Sequence, residues 1–347
     1  MARIALPMLS KTGASPIAHS IRTCQVPQSK PKSPRNITVK SGSGLTKDFD
    51  LKEYSKPLIE SVNRELHSLI PLSNDRIEEA MRYSVIGGGG KRSCPLMCIA
   101  ACEAVGGQRE EALPVACALE MIYAASLILD DLPCMDDDSL RRGRPSTHAV
   151  FGPGAAIRAS DALCALAFHH IARPCAALRP ERALKVVYEL AKAGGSTGMV
   201  GGQYMELASA GTPFIDPALV EYIHLNKLAL MAEISLVSGG IVGGGSDEEV
   251  QRLRAYGRAV GLAYQIVDDM LDQGRTTEEL GKTAGKDKIV GKATYLELYG
   301  MERCREIVVE LVQRAQRYIS QFDPLHALPL VSFAQFVVSR NFDSITG

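Results

Sequence analysis

Residues 113–138 read LPVACALEMIYAASLILDDLPCMDDD, and this stretch decides the fold. From Leu113 to Leu129 the text is apolar apart from Glu120, and it then runs directly into Asp130 and Asp131. A charged interruption and an acidic end do not suit a membrane span, so the segment is expected to be a buried helix. Pro133 ends or kinks that helix and brings Asp136, Asp137 and Asp138 back towards Asp130, which a straight helix would not do over six residues. Almost half the chain later a second cluster, Asp268-Asp269-Met270-Leu271-Asp272, follows the apolar pair Ile266-Val267. Asp268 and Asp272 are four apart on an expected helix and share one face. Like charges held together against apolar text are costly unless cations neutralise them, and hard oxygen ligands suit Mg²⁺. Magnesium completes its shell with waters and substrate phosphates, so two such sites facing one cavity point to a diphosphate substrate.

Outward from these clusters the text is helix after helix. Asp75–Glu78 (DRIE) is a capping box for a helix reaching the glycines at 87–90, and Pro95 lies near the start of the next. Pro114 is expected to open the helix that delivers Asp130, and Ser246–Glu249 (SDEE) to cap the one that delivers Asp268. No strand-like alternation, no repeat and no linker interrupts residues 50–347, which are expected to form one all-α domain. Composition agrees. Hydrophobic residues make up 46% of the 347, but only 5% are aromatic, which favours helices packed on helices. Lys+Arg and Asp+Glu are both 39, so there is no electrostatic footprint for nucleic acid. Nine cysteines without framework spacing indicate a reducing compartment.

Residues 1–49 differ from the rest. No Asp or Glu precedes Asp48, whereas Arg3, Lys11, Arg22, Lys30, Lys32, Arg35 and Lys40 are basic among serines and Pro27, Pro31 and Pro34. A basic, Ser-rich, acid-free leader without an apolar core reads as an organelle transit peptide. Its Ser/Pro content points to the plastid ahead of the mitochondrion.

Cationic stretches accompany the acids. Gly87–Gly90 followed by Lys91 and Arg92 offers backbone N–H groups beside two cations, an anion cradle that lacks the GxxxxGK(S/T) spacing of a P-loop. Arg141-Arg142-Gly143-Arg144 is close enough to the first cluster to clamp a second phosphate, and Lys282, Lys286 and Lys292 trail the second. Cys94, Cys98 and Cys102 make one helical stripe; with no histidine beside them, small buried or interface positions are favoured over zinc ligands. No nucleophile–base pair points to covalent catalysis.

In order along the chain, Gly89–Arg92, Asp130–Arg142 (DDLPCMDDDSLRR), Gly202-Gln203, Tyr264–Asp272 (YQIVDDMLD) and Gly281–Asp287 (GKTAGKD) resemble the motifs of the trans-isoprenyl diphosphate synthases, most closely those of plant plastids that make geranylgeranyl diphosphate. The resemblance spans almost all of residues 50–347. It implies a single large helical bundle of about a dozen helices around a deep central cavity, and a homodimer or a heterodimer with a related synthase subunit. It further implies three Mg²⁺, with Asp130, Asp136, Asp268 and Asp272 as ligands and Asp131 and Asp269 in support. Arg141, Lys227, Gln265, Lys282 and Lys292 would hold the allylic diphosphate, Lys91 and Arg142 would anchor isopentenyl diphosphate, and Gln203 belongs to the substrate site. The implied reaction ionises the allylic diphosphate, condenses the cation with isopentenyl diphosphate, and eliminates a proton that released diphosphate can take. The apolar helix before Asp130 would line a dry tunnel for the growing chain. Ala125, five before Asp130, is small where short-chain enzymes place an aromatic floor, and Pro133-Cys134 enlarges the first motif as in C20 enzymes.

The sequence departs from the family pattern at several places. Cys94 stands where an Arg is usual, Tyr123 where a His is common, Leu228 where a Thr follows Lys227, and Glu206 where the GQxxD pattern has Asp. Cys94 and Tyr123 fall on the isopentenyl diphosphate subsite, and losing one charge-assisted phosphate contact costs about 1.5–3 kcal/mol, roughly ten- to a hundredfold. A rival reading follows, in which the chain is a weakly active or inactive small subunit that modulates an active synthase. Such subunits share the Cys98–Cys102 CxxxC element, but they tend to lose the second acidic motif, which is intact here. A terpene cyclase would not need the Lys91 and Arg142 anion sites.

Overall fold

The computed structural model describes residues 49–88, 90–173, 178–212, 216–272 and 291–342. Among them the fold is all-α, with one two-stranded hairpin. The helices are α1 (Leu51–Leu69), α2 (Arg76–Ile86), α3 (Ser93–Ala104), α4 (Arg109–Asp130), α5 (Thr147–Phe151), α6 (Pro153–Ala172), α7 (Pro180–Gly194), α8 (Met199–Ser209), α9 (Pro217–Leu225), α10 (Leu228–Gly243), α11 (Asp247–Asp272), α12 (Tyr295–Ile319) and α13 (Leu328–Phe342).

Helix starts follow local capping chemistry. The Asp75 carboxylate accepts the Ile77 and Glu78 N–H groups at 2.8 and 3.2 Å and opens α2. Ser246 and Glu249 bond reciprocally, Ser246 N–H to Glu249 Oε2 at 2.7 Å and Glu249 N–H to Ser246 Oγ at 3.3 Å, and start α11. The start of α4 differs from the expectation. It begins at Arg109, five residues before Pro114, because the Glu111 carboxylate reaches back to the Gln108 N–H at 3.2 Å and fixes an earlier turn. Pro114 therefore sits inside the helix.

The centre of the bundle is α10, where every residue from Ala229 to Val242 is buried. It is clamped between α3 and α11 by positions without room for a side chain. A Cβ on Gly239 would lie 2.0 Å from the Cys98 carbonyl oxygen, and one on Gly261 would lie 2.5 Å from the Ala229 Cα. Close backbone approach of this kind gives dense packing from small residues. The cysteine stripe of α3 is thus core: Cys98 and Cys102 are fully buried, and Gly243 of α10 lies against the Cys102 backbone. Glu233, buried on α10, is neutralised by Arg254 at 2.7 Å and Arg258 at 2.6 Å from α11. By length and apolarity α4 passes for a membrane span, but it is packed within the core, with eleven of its residues buried.

Candidate active site

The end of α4 and the end of α11 meet across one cavity of about 720 Å³. Asp130, Asp136 and Asp138 line it from one side, and Asp268, Asp269 and Asp272 from α11. After Asp130 the chain folds back as expected. The Asp136 N–H donates to the Asp130 carbonyl at 2.9 Å, and the Asp138 N–H to the Asp131 carbonyl at 3.1 Å. Arg141, Gln203, Lys227, Gln265 and Lys292 also line the cavity, and its remaining wall is largely apolar, from α4, α6, α7 and α8.

Charge is distributed unevenly over the acids. Lys292 donates to both Asp136 carboxylate oxygens at 3.1 Å and stands 3.4 Å from Glu206. Lys227 pairs with Glu206. Burial works against the Glu206 carboxylate, yet Lys227 and Lys292 outweigh it and hold its pKa down at about 2. Asp130 goes the other way. Burial pushes its pKa up to about 6; Lys227 opposes the rise and Asp136 adds to it. A half-buried carboxylate with so little compensation suits an incoming cation.

Among the described residues no three His, Cys, Asp or Glu side chains converge on one point to form a closed metal cage. The donor set nevertheless fits magnesium, which takes one or two carboxylates and fills its shell with waters and phosphate oxygens. Asp130 and Asp136 on one bank and Asp268 and Asp272 on the other are such donors.

Several residues are placed differently from their expected roles. Asp131 does not line the cavity. It is buried, and accepts Arg141 Nε at 2.9 and 3.2 Å, because consecutive residues at a helix end project about 100° apart. Asp131 thus aims Arg141, which lines both the main cavity and a smaller pocket beside it. Gln265 lines the cavity, but its amide donates to Asp269 at 2.8 Å, and Asp269 is also 3.1 Å from His224 Nε2. Asp269 is therefore a buried, doubly held group.

His224 escaped the sequence reading. It lies on α9, buried, with its ring 5.1 Å from that of Tyr295 and with no hydrogen-bond partner for Nδ1 among the described residues. Its only signal in the sequence is its position three residues before Lys227. Lys282 and the Gly281–Asp287 motif lie outside the described residues.

The glycine motif builds a different environment. Arg142 lines the smaller pocket with Arg141, Arg144 and Gly88, and Lys91 is exposed outside the main cavity. Arg142 and Gly143, both at positive φ, form the tight turn that joins Leu140–Arg141 to Arg144–Pro145. Arg92 is a buried cation and is not presented to solvent at the cradle. It is 6% exposed and donates to Glu120 at 2.5 Å and to Asn63 at 2.8 Å. Cys94 is buried, and burial together with Glu120 pushes its thiol up to about 12, so it stays neutral. Tyr123 and Leu228 line the main cavity.

Acidic banks facing each other across an apolar cavity, on an all-α scaffold, define a class of helical proteins built around a phosphate end and a hydrocarbon end. The family model for polyprenyl synthetase matches residues 74–323, and the chain belongs to that family. It is 49% identical over 296 residues to a chloroplastic geranylfarnesyl diphosphate synthase of Leucosceptrum canum, covering 84% of this chain and 81% of the relative. It is 44% identical over 341 residues, 92% of each chain, to the chloroplastic large subunit 1 of a heterodimeric geranylgeranyl pyrophosphate synthase of Arabidopsis thaliana. Among solved structures, a Helicobacter pylori geranyltransferase complexed with magnesium and isoprenyl diphosphate matches with a TM-score of 0.72 at 28% identity, over 85% of this chain and 99% of that one.

Proposed function

We propose that the chain is a Mg²⁺-dependent trans-prenyltransferase that condenses isopentenyl diphosphate with an allylic diphosphate and makes geranylgeranyl diphosphate. The observation that carries this reading is the shared cavity: six aspartates and three cations at one end, apolar walls at the other. Asp130, Asp136, Asp268 and Asp272 would hold the metal, taken as three ions, which when bound neutralises the diphosphate as it leaves. Arg141, Lys227 and Lys292 supply fixed positive charge to the same group, and preorganised charge of this kind does most to speed reactions that develop an anion. In the structure Lys227 and Lys292 are paired with Glu206 and Asp136, so binding a diphosphate exchanges one set of oxygen partners for another. Gln265 and His224 orient Asp269, and Gln203 lies at the cavity wall. Lys91 and Arg142 receive isopentenyl diphosphate beside Arg141. The apolar wall excludes water from the allylic cation until the double bond attacks it. The relatives' chloroplastic names and the leader at residues 1–49, basic and without Asp or Glu before Asp48, support a plastid protein with a removable transit peptide.

A second reading stays in view because the isopentenyl diphosphate side has lost cations: Arg92 is committed to Glu120, and Cys94 is neutral and buried. In that reading the chain is a modulating subunit of a heterodimer. Purified protein with Mg²⁺, isopentenyl diphosphate and each allylic primer separates the two. Prenyl products from the protein alone establish the enzyme. No product alone, but a changed product ratio after adding an active synthase, establishes the subunit.

A further inference from the structure

Below the acidic banks the cavity runs between α4 and α6, and its depth can be measured along those helices. On α6, Ser160, Cys164 and Phe168 line it at successive turns; no α6 residue beyond Phe168 and no α4 residue before Ile122 lines it. The two helices are antiparallel. Ser160 Oγ donates to the Ala125 carbonyl at 3.0 Å, while neighbouring residues of α1 reach Cys117 (from Val62, 3.9 Å) and His170 (from Glu65, 3.9 Å). Walking α4 backwards from Ala125 therefore matches walking α6 forwards from Ser160. Phe168 lies eight residues below Ser160, and Ala125 five below Asp130, which places the Phe168 backbone about 20 Å beneath Asp130 at 1.5 Å per residue. A long side chain on a helix leans over the turn N-terminal to it, here towards the acidic end, so the ring occupies a depth of about 15–20 Å. An isoprene unit adds four carbon–carbon bonds of about 1.5 Å each, which the zigzag of the chain shortens to about 5 Å of length. The space above the ring thus holds three to four units.

We infer that Phe168 is the floor of the hydrocarbon tunnel and the residue that stops chain growth at C20. The inference rests on the prenyl-transfer reading above and adds to it the position where the product ends. Tyr123, the other large side chain on this part of the wall, stands seven residues below Asp130 on α4 and narrows the tunnel higher up. Cys164, one turn above Phe168, is small and leaves the path to the ring open.

The test is product length from the full chain with Mg²⁺, isopentenyl diphosphate and dimethylallyl diphosphate. Phe168→Ala is expected to move the main product from C20 to C25 or longer, with at least a tenfold rise in the C25:C20 ratio. Phe168→Leu, a smaller loss that spares the core, should give an intermediate shift. Cys164→Phe, which raises the floor by a turn, should shorten the main product to C15. An unchanged ratio in folded Phe168→Ala or Phe168→Leu protein overturns the inference while leaving prenyl transfer intact; so does C25 as the main product of the unsubstituted chain. Absence of any prenyl product from the unsubstituted chain removes the prenyl-transfer reading itself, and the floor with it.

Discussion

The two anion-handling regions of this molecule are built on opposite principles. At the main cavity, carboxylates and ammonium groups face one another and share partners: Lys292 bonds Asp136 and approaches Glu206, and Lys227 pairs with Glu206. Around the glycine motif two of the positions expected to carry charge for a ligand do not offer it. Arg92 is locked to Glu120 in the core, and the position two residues later is a neutral thiol. A cation in reach of solvent and substrate is a binding element, whereas a cation buried against its counter-ion is a structural one. The same residue type does different work according to what packs around it.

Substitutions in each region test whether its charges bind a ligand or hold the fold. The largest effect is expected from Arg92→Ala, which leaves Glu120 buried beside only a distant Arg142 at 4.0 Å; stability should fall by about 3–5 kcal/mol, read from denaturant or thermal unfolding. A raised KM for isopentenyl diphosphate with unaltered unfolding would make Arg92 a binding group instead. Next comes Asp130→Asn at the opposite region. The turnover number should drop about 10²–10³-fold, equivalent to about 2.7–4 kcal/mol of barrier, with folding retained. A mutant with near-normal turnover would show that the first bank does not serve the chemistry.

Cys94→Arg restores a cation beside Arg142 and should lower the KM for isopentenyl diphosphate about tenfold or more, the low end of what one charge-assisted contact of about 1.5–3 kcal/mol gives. An unchanged KM rules Cys94 out of that subsite. The smallest effect is one of pH. Because the folded pKa of Asp130 is raised to about 6, the proton's contribution to stability is full below the ordinary value of 3.8 and is lost as pH rises through 6. Metal-free wild type should therefore lose about 1 kcal/mol relative to Asp130→Asn between pH 5 and pH 7. A gap that stays constant over that range contradicts the raised pKa.

Much of the architecture was legible in the text because it depends on near neighbours. Capping pairs three residues apart, an apolar run of helical length and an aspartate spacing of four are all local, and α2, α11 and the acidic ends followed from them. The fold-back after Asp130 was legible too, since Pro133 and the apolar helix before it leave few other conformations. The start of α4 was misplaced because Pro114 is a louder signal than the Gln108–Glu111 cap that governs the first turn.

Tertiary structure alone decided the roles that depend on distant partners. Residue type and short spacing suffice for an all-α chain with two acidic banks and the cations to serve them. They do not suffice to tell that Asp131 turns away to hold Arg141, that Gln265 and His224 grip Asp269, or that Arg92 finds Glu120 and Asn63. Several of these pairings join side chains 28 to 45 residues apart, and only the packing of one helix on another sets which of them meet and how much water is left between them.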